Sequence, residues 1–298
     1  MNILITGSSG FIGKSVLEKL SKSNNNILCI NRSKQKYKDN NIKQIICSIE
    51  SIKDKVNDIK KFQPEIIINL AWSNIPNYDL KNSLLNLKNS ISFFNEISKL
   101  PTVRKIINTG SCWEAGKKFG KLSPGIWNPE NHFSWAKYAL YRWLLLLKST
   151  KQIDIVWLRL FYVYGPHQNY HSLIPTLYLN LIKKRPKMNI RTPFDSVDFI
   201  YVDDCATAIL KSCSNKIKTE IFNIGSGKAT NIFKICNIVE NKILGSSINT
   251  DKIKKNNKNI INNNFSANIN KTCRTLNWKP KIQLDEGLNK TISHFKNI

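Results

Sequence analysis

Short apolar runs and stretches of helical periodicity alternate along the first half of the chain. Ile3, Leu4 and Ile5 form a run without polar interruption, the pattern of a strand covered on both faces in a parallel sheet. Ile12, Val16, Leu17 and Leu20 follow at helical spacing. Ile27 to Ile30, Ile42 to Cys47, Pro64 to Ala71, Val103 to Asn108 and Ile153 to Leu160 read as further strands. Between them, Leu80, Leu84, Leu87, Ile91 and Phe94 predict one face of a helix. Phe133 to Leu147 predicts another, apolar almost all round, with Trp135, Tyr138, Tyr141 and Trp143 along it. A helix without a polar face must be covered on both sides. Repeated β-α order predicts an α/β fold built on a doubly wound parallel sheet. Beyond Gly165 the texture changes and predicts a smaller C-terminal α/β region over 166–298, with 198–226 returning to the first unit, 1–165.

Between the first strand and the first helix stand Gly7, Gly10 and Gly13. A tight glycine turn leading into a helix N-terminus is an anion site. Free backbone N–H groups and the positive end of the helix dipole face the ligand, and the missing Cβ atoms let it approach. Placement directly after a strand and before a helix makes this a nucleotide-cofactor site of Rossmann type, with Ser9, Phe11 and Ile12 in the turn. After the second strand comes Asn31-Arg32-Ser33. Many NAD sites carry an acidic residue at this point for the ribose hydroxyls, and here there is none. Arg32, flanked by Asn31 and Ser33, suits a 2′-phosphate, so the expected cofactor is NADP(H), with NAD as the alternative.

Composition narrows the remaining classes. Seven cysteines occur without C-x-x-C pairs and beside only four histidines. That argues against a disulfide framework or a metal site and for a reducing compartment. The first strand begins almost at Met1 and no apolar run approaches membrane-spanning length, so a cytoplasmic protein without membrane contact is expected. A net charge of +26 raises the question of nucleic acid. The lysines are spread over the whole chain, and the densest group, Lys183, Lys184, Arg185 and Lys187, has no interleaved aromatics. A compositional bias toward Lys, Asn and Ile explains the charge, and no nucleic-acid partner is expected. A Lys/Asn-rich stretch over 252–264 reads as an exposed loop.

Three segments taken together are specific: L-R-L-F-Y-V-Y-G-P from Leu158, D-F-I-Y-V-D-D from Asp198 and F-N-I-G-S-G from Phe222. With the G-x-x-G-x-x-G turn, they resemble the extended short-chain dehydrogenase/reductases of the NAD-dependent epimerase/dehydratase family over nearly the entire chain. The texture is most similar to bacterial nucleotide-sugar 4-ketoreductases of surface polysaccharide synthesis. The resemblance implies a nucleotide-sugar substrate and a homodimer formed through the two long helices. It places Ser48 and Ile49 near the adenine, Leu70 and Ala71 beside the cofactor, and Ser111 at the end of the fifth strand, where its hydroxyl would meet the reacting sugar oxygen. Cys112, Arg159, Tyr162 and Arg191 fall in the substrate segments. Lys137 fits the lysine of the family's Tyr-x-x-x-Lys pair. Four residues earlier, at the tyrosine position, stands Phe133. Residues 133 and 137 share a helix face, whereas His132 and Tyr138 point elsewhere and Tyr141 lies about 12 Å along the axis. No helix neighbour replaces the phenol, which leaves Ser111, Cys112 or a water as the expected proton route, with Ser111 best placed. The competing expectation is a cofactor- or sugar-binding protein with little turnover.

Overall fold

The computed structural model describes residues 1–116, 119–183, 192–245 and 262–297. The first half runs β1 (Asn2–Thr6), α1 (Phe11–Ser21), β2 (Asn26–Asn31), β3 (Ile42–Ile46), α2 (Val56–Phe62), β4 (Ile66–Asn69), α3 (Leu80–Ile97) and β5 (Lys105–Ser111). Then come β6 (Phe119–Leu122), α4 (His132–Lys151), β7 (Asp154–Leu160), β8 (Tyr162–Tyr164), α5 (Leu173–Ile182), β9 (Ser196–Tyr201) and α6 (Val202–Ser212). The chain closes with β10 (Glu220–Ile224), β11 (Ala229–Asn231), α7 (Ile232–Leu244), β12 (Asn264–Ala267), α8 (Asn270–Leu276) and α9 (Leu284–Lys296).

Seven strands form one sheet in the order β3-β2-β1-β4-β5-β7-β10, and every pairing in it is parallel. The expected α/β doubly wound architecture is therefore present. Both faces are covered because alternate residues of each strand meet different cores. Ile3, Ile5, Ile66, Ile68, Val156 and Leu158 pack with α1 and α6, while Leu4, Ile67, Ile106, Ile155 and Trp157 pack with α3 and α4. A smaller sheet in the order β11-β9-β12-β6, with β8 paired to β9, carries a third core. The short strands β6 and β8 carry no periodicity that the sequence could reveal.

The helix faces partly depart from expectation. Leu80 and Leu84 mark no core face of α3; both are exposed, with Leu85 beside them. The buried face of its first half is Asn82, Ser83, Asn86 and Ser90. Asn82 and Asn86 turn inward because the backbone of the preceding loop lies beneath them: their Nδ2 groups donate to Ser73 O, and Asn82 also to Asn77 O. On α4, Phe133, Ala136, Lys137, Leu140, Leu144 and Leu147 are buried, but Trp135 remains 50% exposed and Leu146 60%. Acidic residues of the segment D-F-I-Y-V-D-D serve the framework. Asp198 accepts from Ser226 N, Gly227 N and Ala267 N at 2.6–2.9 Å, and Asp204 accepts from Lys281 N and Ile282 N at 2.9 and 2.8 Å. Among the described residues no helix is long and apolar enough to cross a membrane.

Candidate functional site

The carboxyl ends of β1, β4, β5 and β7 open on a common edge, the place where open parallel sheets bind ligands. At one end lies the glycine turn. Gly7 has φ 73°, and a Cβ on Gly13 would stand 2.0 Å from Gly7 O. A Cβ on Gly7 would meet Ala71 N and Leu70 C at 2.9 Å, so Leu70 and Ala71 lie directly against the turn. Gly10 caps α1 without any side-chain bond, and no acid occupies the first helical turn. First-turn N–H groups have no partner within a helix. Ser9 and Gly10 are exposed, and Phe11 and Ile12 are half-buried behind them. This cradle fits the pyrophosphate of a nicotinamide dinucleotide, which when bound supplies hydride transfer.

Around the neighbouring end of β2, Arg32 and Ser33 are exposed. Asn31 is not: its Oδ1 accepts from Ser8 Oγ at 2.8 Å and its Nδ2 donates to Tyr37 O–H at 2.7 Å. Its amide therefore braces the glycine turn instead of offering itself to a ribose. The Ser48 hydroxyl is engaged with Ser51 in a local turn, and Ile49 packs against the core. Ser8 and Tyr37 were missed by sequence reasoning because no motif marks them.

At the other end β5 delivers Ser111. Its backbone N–H donates to Glu114 Oε1 at 2.7 Å and its Oγ accepts from Trp113 N at 3.2 Å, closing a capping box over the turn 112–115. That leaves the hydroxyl proton for an outside acceptor. Gly110 has to lack a side chain, because a Cβ there would lie 2.4 Å from Glu114 Oε1. Lys137 reaches this strand end from α4. Its ammonium donates to Thr109 O at 2.9 Å and sits 3.9 Å from the centroid of the Trp72 ring. Burial pushes the amine down to about 7, against the pull of Glu114.

Arg159 does not line the cleft. It is fully buried, paired through Nε to Glu114 Oε2 at 3.2 Å, with its guanidinium 4.4 Å from the Trp127 ring centroid. The substrate role expected of it is replaced by a structural one, since a buried ion pair with one member removed costs about 3–5 kcal/mol. Tyr162 is half-buried, and its hydroxyl accepts from Trp113 Nε1 at 3.1 Å. Cys112 is buried beside it. Arg191 lies outside the described residues, as do Lys184, Arg185, Lys187 and most of the polar stretch 252–264. Phe133 is buried among rings: Tyr78 at 4.9 Å, Trp72 at 5.7 Å and Trp113 at 6.0 Å between centroids. Tyr78 too escaped sequence reasoning. Among the described residues no group of three His, Cys, Asp or Glu side chains could hold a metal ion.

Residues 3–225 match the model of the NAD dependent epimerase/dehydratase family. The chain belongs to that family. Among curated relatives it is 26% identical to a putative UDP-glucose 4-epimerase of Methanocaldococcus jannaschii, covering 99% of this chain and 98% of the relative. It is also 26% identical to the CDP-abequose synthase of Salmonella typhimurium, over 96% of this chain and 95% of that enzyme. The fold superposes on the UDP-glucuronic acid 4-epimerase of Bacillus cereus, solved with UDP-glucuronic acid and NAD, with a TM-score of 0.83 at 22% identity, covering 100% of this chain and 99% of the other.

Proposed function

We propose that this chain is an oxidoreductase or epimerase using NADP(H), with NAD as the alternative, on a nucleotide-activated deoxysugar, and that its reaction is reduction of a 4-keto sugar. The observation that carries the reading is the pairing of a glycine cradle with Ser111 and Lys137 on the same sheet edge. Ser9, Gly10 and the first turn of α1 would hold the pyrophosphate, with Arg32 and Ser33 at the adenosine ribose and its 2′-phosphate. Ser111 would hold the sugar carbonyl oxygen, while Cys112 and Tyr162 form the sugar wall. Lys137 would face the nicotinamide ribose once Trp72 yields its place over the amine. The relatives named for UDP- and CDP-sugars support a nucleotide-sugar substrate.

Phe133 supports a second reading, a protein that binds cofactor and sugar with little turnover. NADPH and NADH oxidation with a panel of 4-keto nucleotide sugars separates the two. Cofactor consumption with at least one sugar is expected. Tight binding of cofactor and sugar without any consumption favours the second. We also propose a homodimer through α3 and α4, whose exposed Leu84, Leu85, Trp135 and Leu146 are unpartnered in the single chain. Light scattering that finds only monomer at micromolar concentration overturns it.

A further inference from the structure

Position 133 is the point where a proton-transferring phenol is missing from α4. The ring packed 4.9 Å from Phe133 belongs to Tyr78, on the loop joining β4 to α3. Tyr78 also lies 4.9 Å from Trp113, whose backbone N–H meets Ser111 Oγ. Among the described residues no hydrogen bond engages its hydroxyl. The second phenol nearby, Tyr162, is already held by Trp113 Nε1 and has no ring contact with Phe133 among the described residues.

The loop that carries Tyr78 is fixed on both sides. Ser73 N donates to Asn86 Oδ1 at 2.7 Å, and Asn82 Nδ2 donates to Asn77 O at 2.7 Å and Ser73 O at 3.2 Å. On the other side, Asp79 caps α3 by accepting from Asn82 N at 2.7 Å. These bonds explain the inward asparagines of α3, and they hold a phenol at fixed position against the space beside Phe133. A positioned proton donor needs this kind of support from its neighbours.

We propose that Tyr78 is the proton donor and acceptor of the site, supplying from the β4–α3 loop the phenol that Phe133 lacks on the helix. The inference rests on the reading of the site as a nucleotide-sugar oxidoreductase. When the carbonyl carbon of a keto sugar accepts hydride from a reduced nicotinamide dinucleotide, the carbon–oxygen π pair moves onto oxygen. The Tyr78 O–H bond breaks toward that oxygen, giving the alcohol and a tyrosinate that recovers its proton from solvent. Ser111 keeps the role of holding the oxygen. The ionisable groups that act on Tyr78 are Cys112 after β5 and Tyr162 of β8, with Asp79 next along the chain; His132 acts on Asp79, and Lys137 lies 6.0 Å from the Phe133 ring centroid.

Two measurements on the full chain test this. The first needs no sugar. Ultraviolet difference titration of the unmodified protein against Tyr78→Phe isolates the ionisation of Tyr78. Saturating NADP+, or NAD+ if calorimetry shows that to bind more tightly, places a positive nicotinamide beside the site. The Tyr78 midpoint should then fall by roughly one pH unit or more, since a nearby cation favours the phenolate. An unchanged midpoint with cofactor bound overturns the proposal and leaves the functional reading intact. The second is single-turnover reduction of whichever keto sugar the panel identifies. Tyr78→Phe should slow it about 10²–10⁴-fold with cofactor affinity unchanged. The double variant Tyr78→Phe with Phe133→Tyr should recover at least about tenfold of that loss, because the phenol returns to the helix. Reduction by Tyr78→Phe at the unmodified rate overturns the proposal. Failure to bind either cofactor overturns the functional reading and this one with it. If cofactor binds but no sugar is reduced, the titration alone decides on Tyr78.

Discussion

At the β1–α1 end of the cleft the recognition surface is backbone, and at the β5–α4 end it is side chain. The first end is set by glycines whose missing Cβ atoms leave room for Gly7 O, Leu70 and Ala71. The second is set by Ser111 at the end of β5, Lys137 and Phe133 on α4, and Trp72 and Tyr78 on the β4–α3 loop. A backbone site cannot be altered without moving a strand against a helix. A side-chain site can exchange one group for another while the sheet stays in place, and Phe133 at the tyrosine position is such an exchange. The contrast predicts that substitutions at the glycine end damage fold and binding together, while those at the other end leave the fold standing.

Gly13→Ala gives the largest expected effect. Its Cβ would stand 2.0 Å from Gly7 O and 2.8 Å from Ser8 Cα, both main-chain atoms without flexible ends. Overpacking of this kind costs about 1–3 kcal/mol, and here α1 must shift on the sheet, so the upper end is expected. Cofactor affinity should fall at least about a hundredfold with it. Urea unfolding and calorimetry check the two losses. A variant that keeps its stability but loses binding would mean that the turn is less tightly coupled to the core than the geometry requires.

Arg32→Ala sharpens the contrast within the glycine end, because this residue adds a side chain to a backbone site. It is exposed, so its removal should leave the unfolding midpoint unchanged. Charge-assisted hydrogen bonds to a 2′-phosphate would give NADP(H) roughly a tenfold to hundredfold advantage over NAD(H), which the variant should lose. The advantage should shrink with added salt, as expected for a solvent-facing charge. Equal affinities for the two cofactors in the unmodified protein would remove the 2′-phosphate assignment.

The same contrast decides what the sequence could reveal. Residues 3–5 and 12–20 report strand and helix through their period, and the glycines between them report the turn. Both signals are local. The position of Arg159 was also readable: alternation along β7 sets it with Trp157 on the α4 side, away from the core that holds Leu158. Its charge drew the assignment to the cleft, whereas the buried Glu114 partner lies 45 residues away. Tyr78 was not readable. Its loop has no periodicity, and its contact with Phe133 exists only because α3 and α4 pack side by side. The apolar spacing of Leu80 and Leu84 even pointed the wrong way, since the loop beneath claims the polar face of α3.

Near neutral pH the smallest expected effect is a titration at the side-chain end, which grows only as pH rises. Lys137 is 4% exposed, and its amine ionises near pH 7 because burial outweighs the attraction of Glu114. In the unfolded chain the same amine holds its proton to the ordinary lysine value, 10.5. Below about pH 7 both states carry the proton, and the cost of the buried ammonium is present in full. Between pH 7 and 10.5 the unfolded state binds more protons than the folded one, so this group makes the fold more stable as pH rises. The slope can reach about 1.4 kcal/mol per pH unit. Lys137→Met keeps the apolar stem and removes the titration. The unfolding free energy of the unmodified chain, relative to this variant, should therefore climb from pH 7 to pH 9 and be flat below it. Groups that do not interact with Lys137 cancel in that difference; Glu114 does interact with it, so the climb above pH 7 is the part that reports Lys137. Urea midpoints at four or so pH values suffice to measure it. A difference that stays flat across the whole range would show an ammonium charged throughout, held by Thr109 O and the face of Trp72 strongly enough to cancel its burial. The Gly13→Ala loss, by contrast, comes from overlapping main-chain atoms and should not change over the same range of pH.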